Sequence, residues 1–273
     1  MKAQRRTIIV AAVATSAAAA FYLTSGSLGY EERAALVILV AAAGLWTTEA
    51  VPLAATSFLI PFLQALLGVQ SFKSALSPFF DPVVMLLLGG FLLAIAVEKY
   101  DLDEFLAYQI ISRVRADARV VVLVLMLTTA FLSMWISNTA STALMLTLAL
   151  KLTEGIRDER GNFSKIAVLA IAYSATAGGL ATLVGTPTCA MTAGFLKKLV
   201  GYEVTFLGWS LFGLPVTVLM IIAIWVTLFA IFPTDVRRMP DLGIERKSLN
   251  GRQKLTFAVF VASILLWVTG RLP

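Results

Sequence analysis

Small hydroxyl and amide side chains interrupt an uncharged, otherwise apolar segment of the chain. The segment is Val120–Leu150, 31 residues without Lys, Arg, Asp or Glu, and its centre contains Ser133 and the tripeptide Ser137–Thr139. Such side chains offer neutral oxygen atoms that suit a small cation and hydrogen-bond donors that suit an anion. The segment is therefore the first candidate for a binding site.

The length of this segment predicts how it is folded. One straight helix of 31 residues would measure about 46 Å, whereas the hydrocarbon core of a bilayer is about 30 Å thick. The segment is too long for one crossing and too short for two. Irregular backbone at membrane depth survives only where it is buried in protein or lines a wet cavity. We therefore predict a re-entrant hairpin over residues 120–150, two half-helices with a polar tip.

A second apolar segment is also too long for one crossing and carries helix-breaking residues in its middle. This segment is Ile166–Leu196, and the break is expected at Gly185-Thr186-Pro187. Proline removes a backbone donor and glycine permits unusual dihedral angles. A helix broken there exposes carbonyl groups that suit a cation and N–H groups that suit an anion. The alternative is a kinked but ordinary span whose glycines serve tight packing.

Composition assigns the class of protein. Of the 273 residues, 59% are hydrophobic and 14% are charged, and the mean hydropathy is +0.88. These values are typical of an all-α polytopic membrane protein. The net charge of +6 does not indicate a nucleic-acid partner, because the basic residues lie between the apolar segments. The single cysteine, Cys189, excludes an intramolecular disulfide, and the absence of histidine argues against histidine metal sites and proton relays.

The apolar segments predict about seven transmembrane helices plus the hairpin. Residues 1–100 would form amino-terminal helices on the scaffold or dimerisation side, 101–119 an amphipathic interfacial helix, 164–199 the broken helix, and 208–273 two last helices joined by a basic inner loop at 233–254. In the interfacial helix the residues at helical spacing are Leu102, Phe105, Leu106, Gln109, Ile110 and Arg113, with acids and bases on the other side. A plain solvated connector is the alternative. We expect Met1–Leu23 to be a retained first helix, and a cleaved signal peptide is the alternative.

The distribution of basic residues favours the hairpin over a single crossing. With a cytoplasmic amino terminus and a hairpin, 17 of the 22 Lys and Arg residues lie on the inner side. If Val120–Leu150 crossed once, only 10 would lie inside and 12 outside. Since inner loops are enriched in Lys and Arg, we predict a multi-pass protein of the cell (inner) membrane with its amino terminus in the cytoplasm. The predicted basic loop could also contact anionic membrane lipids.

Neither break contains a carboxylate. Glu49, Asp81 and Glu98 lie at the edges of spans, where contact with the membrane interface is the simpler explanation. A neutral set of oxygen ligands can hold Na⁺ and leave its charge free to attract an anion beside it. Proton coupling would need a buried acid or histidine, and neither segment contains Asp, Glu or His.

Three motifs resemble those of the divalent anion/sodium symporter (DASS) family of the ion-transporter superfamily, which carries dicarboxylates, citrate or sulfate. They are Ser137-Asn138-Thr139, the glycine-rich stretch from Gly178-Gly179 to Gly185-Thr186-Pro187, and Trp46-Thr47-Thr48-Glu49-Ala50-Val51-Pro52. The resemblance implies a helical transporter with two inverted repeats and a hairpin in each, assembled as a homodimer. It implies a sodium-coupled symport function and no enzymatic activity.

The resemblance also implies a set of binding residues. Sodium would be bound by Ser133, Ser137, Asn138 and the backbone of Gly185, and no other metal is implied. The anion would be contacted by Ser137, Asn138, Thr139, Thr186 and Pro187. The four-residue spacing of Ser133 and Ser137 would place both on one face of a helical turn. The family often continues its Gly-Thr-Pro break with Pro-Asn, whereas this chain has Thr188-Cys189, which leaves the identity of the anion open.

Family members are roughly twice as long, so the resemblance implies the amino-terminal half of a transporter, the first of the two repeats. A split protein with a partner chain, a truncated gene and a fragment of a longer protein are equally compatible with the sequence. We expect the face that meets the second half to include Tyr173, Ser174, Thr176 and Thr182. The alternatives are an arsenite or other anion permease of the same superfamily, and a non-transporting membrane subunit that assembles with a second chain.

Overall fold

The computed structural model describes residues 2–111, 117–153, 156, 158, 161–237 and 248–269. Within these residues the regular elements are helices: twelve α-helices and one short 3-10 helix. The chain divides into two compact units, Met1–Asp81 and Pro82–Pro273. The predicted all-helical fold is thereby confirmed for the part of the chain that is described.

The first unit consists of the amino-terminal helices. They are α1 (Lys2–Leu23), α2 (Tyr30–Thr48), α3 (Leu53–Leu66), α4 (Phe72–Leu76) and the 3-10 helix Ser77–Phe80. Helices α1 and α2 pack closely, because a Cβ at Gly44 would lie 2.9 Å from both methyl groups of Val13. Between α2 and α3 the backbone of Glu49 is left-handed, with φ of 49°, and Pro52 precedes the first residue of α3.

Helix α3 covers only part of the uncharged, apolar segment Val51–Val69. It has 14 residues, about 21 Å at the usual rise per residue. The helix ends because Gly68 adopts a left-handed backbone conformation with φ of 69°, which glycine accepts without steric cost. The two short helices that follow were not predicted from the sequence.

The second unit contains the remaining helices, and α9 is its central element. The helices are α5 (Pro82–Lys99), α6 (Leu102–Ile111), α7 (Ala118–Ser133), α8 (Asn138–Thr153), α9 (Asn162–Gly179), α10 (Pro187–Val200), α11 (Phe206–Ile231) and α12 (Gly251–Thr269). Helix α9 packs against α7, α8 and α11. Its buried residues are mostly small, which allows the neighbouring backbones to approach closely.

Four helices in the described part are long and apolar enough to cross a membrane. They comprise Gln4–Leu23 within α1, and α5, α11 and α12 in full. Most of their side chains are exposed: only 17% of the most apolar window of α11 is buried within the protein. Apolar side chains exposed over such lengths are expected to face lipid. The structure thus supports the predicted class, a polytopic membrane protein.

The buried face of α6 matches the predicted one at Leu102, which is fully buried, and differs from it at other positions. Asp103, expected among the exposed charges, is 8% exposed, and Ala107 and Ile111 are buried beside it. Phe105 and Leu106 are only partly buried against the same apolar cluster. Helix α6 packs against α5, α7 and α12, and this packing buries Asp103, Ala107 and Ile111. Arg113 and residues 238–247 of the predicted basic loop lie outside the described residues.

Candidate functional site

The chain leaves helix α7 after Ser133 and begins α8 at Asn138, inside the polar segment singled out above. The hydroxyl of Ser137 accepts a hydrogen bond from the amide N of Ala140 at 3.1 Å. This bond satisfies one of the free N–H groups of the first turn of α8. Ser137 and Thr139 are exposed, whereas Asn138 is partly buried.

The prediction that Ser133 and Ser137 share one face of a helical turn is wrong. Ser133 is the last residue of α7 and is fully buried, while Ser137 precedes α8 and is exposed. The amide N of Ile136 still bonds to the carbonyl of Leu132, so the helical turn ends before Ser137. The two hydroxyl groups therefore lie on opposite sides of the break.

Three oxygen atoms meet where the α7–α8 connection contacts α9; we call them the oxygen cluster. Ser133 Oγ lies 2.7 Å from Asn138 Oδ1 and 2.7 Å from the carbonyl oxygen of Ala175. A serine hydroxyl has a single proton, so it donates to only one of these two acceptors at a time. The cluster has more oxygen lone pairs than protons, which is the electrostatic arrangement that favours a cation.

Glycines in the second broken segment allow this close approach. A Cβ at Gly179 would collide with Asn138 Oδ1 and lie 3.0 Å from Asn138 Nδ2. A Cβ at Gly185 would lie 2.7 Å from the carbonyl oxygen of Gly179 and 3.0 Å from that of Ser133. The Ser133 carbonyl, the Gly179 carbonyl and Gly185 are therefore in close contact, next to the oxygen cluster.

The second segment is interrupted between Gly179, the last residue of α9, and Pro187, the first of α10. Thr182 lies in this interruption and is 2% exposed. Its Oγ1 donates to the carbonyl of Met134 at 2.7 Å and accepts from the amide N of Gly185 at 3.0 Å. The two interruptions are therefore joined directly through one side chain.

Helix α11 satisfies carbonyl groups at the carboxyl end of α9. Thr217 Oγ1 donates to the carbonyl of Ala177 at 2.9 Å, and Trp209 Nε1 donates to that of Leu180 at 3.0 Å. A Cβ at Gly213 would lie 2.8 Å from the carbonyl oxygen of Ala181. Buried carbonyls without partners are costly, so these contacts stabilise the packing of α11 on α9.

The residues predicted to contact only the anion are more accessible than those predicted to bind only sodium. Thr186 is partly buried, and Pro187 begins α10 at an exposed position. The hydroxyl groups of Thr186 and Thr188 lie 3.1 Å apart. By contrast, Ser133 and Gly185 are buried. Helix amino termini such as those of α8 and α10 favour anions through their N–H groups and dipole.

The structure brings Ser133, Asn138 and Gly185 together, and it adds residues that the sequence analysis missed. Ala175 contributes a backbone carbonyl, for which a sequence gives no side-chain signal. Thr182 was instead predicted on the face that meets a second half, together with Ser174. Both are buried, at 2% and 0% exposure, so that placement is wrong, whereas Tyr173 and Thr176 are exposed as expected.

No acidic group belongs to the oxygen cluster. Among the described residues, no set of three or more His, Cys, Asp or Glu side chains could hold a metal ion. Cys189 is buried, and its thiol lies 3.8 Å from the carbonyl oxygen of Gly179. The donor set is therefore made of hydroxyl, amide and carbonyl oxygens, which suits a hard monovalent cation better than a transition metal.

The apolar, membrane-length helices define the class, a polytopic membrane protein with two helix breaks that meet at a neutral oxygen cluster. Residues 43–273 match the citrate transporter family. The chain belongs to this family of transporters, which are not enzymes, and the resemblance to sodium-dependent anion transporters is confirmed.

Two relatives illustrate the range of the match. An uncharacterised transporter of Haemophilus influenzae is 37% identical over 234 residues, 85% of this chain and 50% of that protein. The sodium-dependent dicarboxylate transporter SdcS of Staphylococcus aureus strain USA300 is 34% identical over 251 residues, 86% of this chain and 48% of that protein. The chain spans about half the length of the curated relatives it matches.

Proposed function

We propose that this chain takes part in the sodium-coupled transport of divalent anions of the dicarboxylate, citrate or sulfate class across the cell membrane. The observation that carries the proposal is the oxygen cluster, in which one hydroxyl proton serves two acceptors 2.7 Å away. A cation resolves this shortage of protons. The similarity to a sodium-dependent dicarboxylate transporter supports Na⁺ as the cation.

In this proposal Ser133, Ser137, Asn138 and the backbone of Gly185 bind Na⁺. Ser133 and Gly185 are buried and are held close together by the glycine contacts described above. Ser137 belongs to the set through its position beside Asn138, although its hydroxyl also caps α8. Because all these ligands are neutral, the bound ion keeps its positive charge, which is then the strongest local attraction for an anion.

The anion in turn contacts Ser137, Asn138, Thr139, Thr186 and Pro187. The amino termini of α8 and α10 contribute N–H groups and positive dipole ends, and the hydroxyl groups of Thr186 and Thr188 add donors. Because the anion is attracted by an ion that must bind beside it, anion affinity rises with sodium concentration. This dependence couples the two fluxes.

The membrane arrangement that goes with this function has seven transmembrane helices and one re-entrant hairpin, with the amino terminus in the cytoplasm. It represents the first of two inverted repeats. The proposed partner is a second transporter half or a second copy of the chain in a homodimer. The chain spans about half the length of the relatives, which is the share that one of two repeats would occupy.

The test is uptake of labelled succinate, citrate and sulfate into liposomes that contain this chain, driven by a sodium gradient. We expect sodium-dependent uptake that is abolished by Asn138→Ala, with Thr147→Ala, an exposed hydroxyl in α8, as the matched control. Uptake that is equal with and without sodium would refute sodium coupling. Sodium binding without uptake in a folded, inserted protein would favour the subunit that requires a second chain.

A further inference from the structure

Thr182 lies where the two broken segments meet and contacts both of them through one atom. Its Oγ1 donates to the carbonyl of Met134 at 2.7 Å and accepts from the amide N of Gly185 at 3.0 Å. The side chain is 2% exposed, so solvent does not readily replace either partner. Loss of the hydroxyl would leave a buried carbonyl and a buried amide unpaired, which costs more than the loss of an exposed hydrogen bond.

Both partners of Thr182 adjoin the residues proposed to bind sodium. Met134 follows Ser133 directly, and Gly185 is itself one of the proposed ligands. The packing leaves little free space, because a Cβ at Gly185 would lie 3.0 Å from the carbonyl oxygen of Ser133. A shift of one segment against the other would therefore change the distances between the oxygen atoms of the site.

We infer that Thr182 is a positioning residue for the cation site, an inference that rests on the proposed function. Its hydroxyl does not need to touch the ion. It holds the backbone of Gly185 at a fixed distance from Ser133 and Asn138, so that the oxygen ligands are preorganised before sodium arrives. Preorganisation raises affinity because the ligands need not be ordered at the moment of binding.

The test compares three variants in equilibrium binding of radiolabelled sodium to the detergent-solubilised chain, with choline keeping the ionic strength constant. Thr182→Val keeps the shape and removes the hydroxyl, while Thr182→Ser keeps the hydroxyl. Thr217→Val is the matched control, because Thr217 is 1% exposed and donates to a carbonyl of α9 at 2.9 Å without contacting Gly185.

Thr182→Val should weaken sodium affinity about ten-fold, as expected when about 1.4 kcal/mol of preorganisation is lost. Thr182→Ser should restore it to within about three-fold, since most of a single hydrogen bond is retained. Thr217→Val should lower the melting temperature by less than Thr182→Val does, because it removes one buried hydrogen bond and Thr182→Val removes two, and it should leave sodium affinity unchanged. A merely structural role would change sodium affinity in both valine variants or in neither.

Several outcomes would overturn the inference. Equal sodium affinity in wild type and Thr182→Val would do so while leaving the proposed function intact, and so would failure of Thr182→Ser to restore binding. Absence of sodium binding in the wild-type chain would refute the proposed function and this inference together. If Thr182→Val does not fold, Thr182→Ala replaces it. Hydrogen exchange of the Gly185 amide in wild type adds a test without any variant: sodium should slow it.

Discussion

Substitution of Gly179 by alanine should weaken sodium binding strongly without unfolding the protein. A Cβ at this position would collide with Asn138 Oδ1, the end of a flexible side chain, and lie 3.1 Å from Asn138 Cγ. The amide must then move by about 1 Å to reach ordinary contact distance. Such a shift would break the 2.7 Å contact between Asn138 Oδ1 and Ser133 Oγ.

The expected loss of sodium affinity is about 10- to 100-fold, the range seen when groups that orient metal ligands are removed. Stability should change little, because the added methyl group meets the end of a flexible side chain and alanine is favoured over glycine at helical positions by up to about 1 kcal/mol. The assay measures the melting temperature by tryptophan fluorescence, first in choline chloride and then in sodium chloride, and reports the increase that sodium causes. Wild type should show the increase and Gly179→Ala should not.

Gly178→Ala is the control, because its added Cβ would meet the backbone of α7 instead of a side chain. It would collide with the carbonyl oxygen of Ala130 and lie 2.5 Å from Ala130 Cα. This variant should lose about 1–3 kcal/mol of stability through overpacking of two helix backbones. A Gly179→Ala protein that keeps the wild-type response to sodium would refute the role assigned to Asn138.

Further predictions concern groups around the site. Burial raises the pKa of Asp103, with smaller contributions from the charges of Glu98 and Asp101. The protonated form of Asp103 stabilises the folded protein fully at acidic pH, and this stabilisation is lost as the pH rises through the folded-state pKa. The melting temperature of Asp103→Asn should therefore exceed that of wild type by a growing margin as the pH rises from 4 to 8. Parallel curves of melting temperature against pH would contradict this. Trp209→Phe removes the donor to the Leu180 carbonyl and should cost about 1–3 kcal/mol in denaturant unfolding; an unchanged midpoint would show that this carbonyl finds another partner.

Features with a strong local chemical cause were predictable from the sequence. The helices are interrupted at Met134–Ser137 and between Gly179 and Pro187. Both interruptions fall within the two segments where polar and helix-breaking residues divide long apolar runs. The all-helical class followed from composition in the same way, because long apolar segments in a membrane must satisfy their backbone groups internally.

Features set by packing between distant segments were not predictable. The Ala175 carbonyl joins the oxygen cluster only because α9 packs against α7 and α8. The burial of Ser174 and Asp103 likewise depends on neighbouring helices and not on local periodicity. The helical-face argument for Ser133 and Ser137 failed because it assumed a regular turn across a position where the helix ends.

Direct binding of radiolabelled sodium to the solubilised wild-type chain and to Ser133→Ala tests the central claim, that the oxygen cluster holds a cation. The serine hydroxyl is the atom shared by both 2.7 Å contacts, and alanine removes it with little change in volume. We predict saturable binding to wild type that excess choline does not displace and that Ser133→Ala abolishes. No saturable binding to the folded wild-type chain, or equal binding to both proteins, would contradict the account.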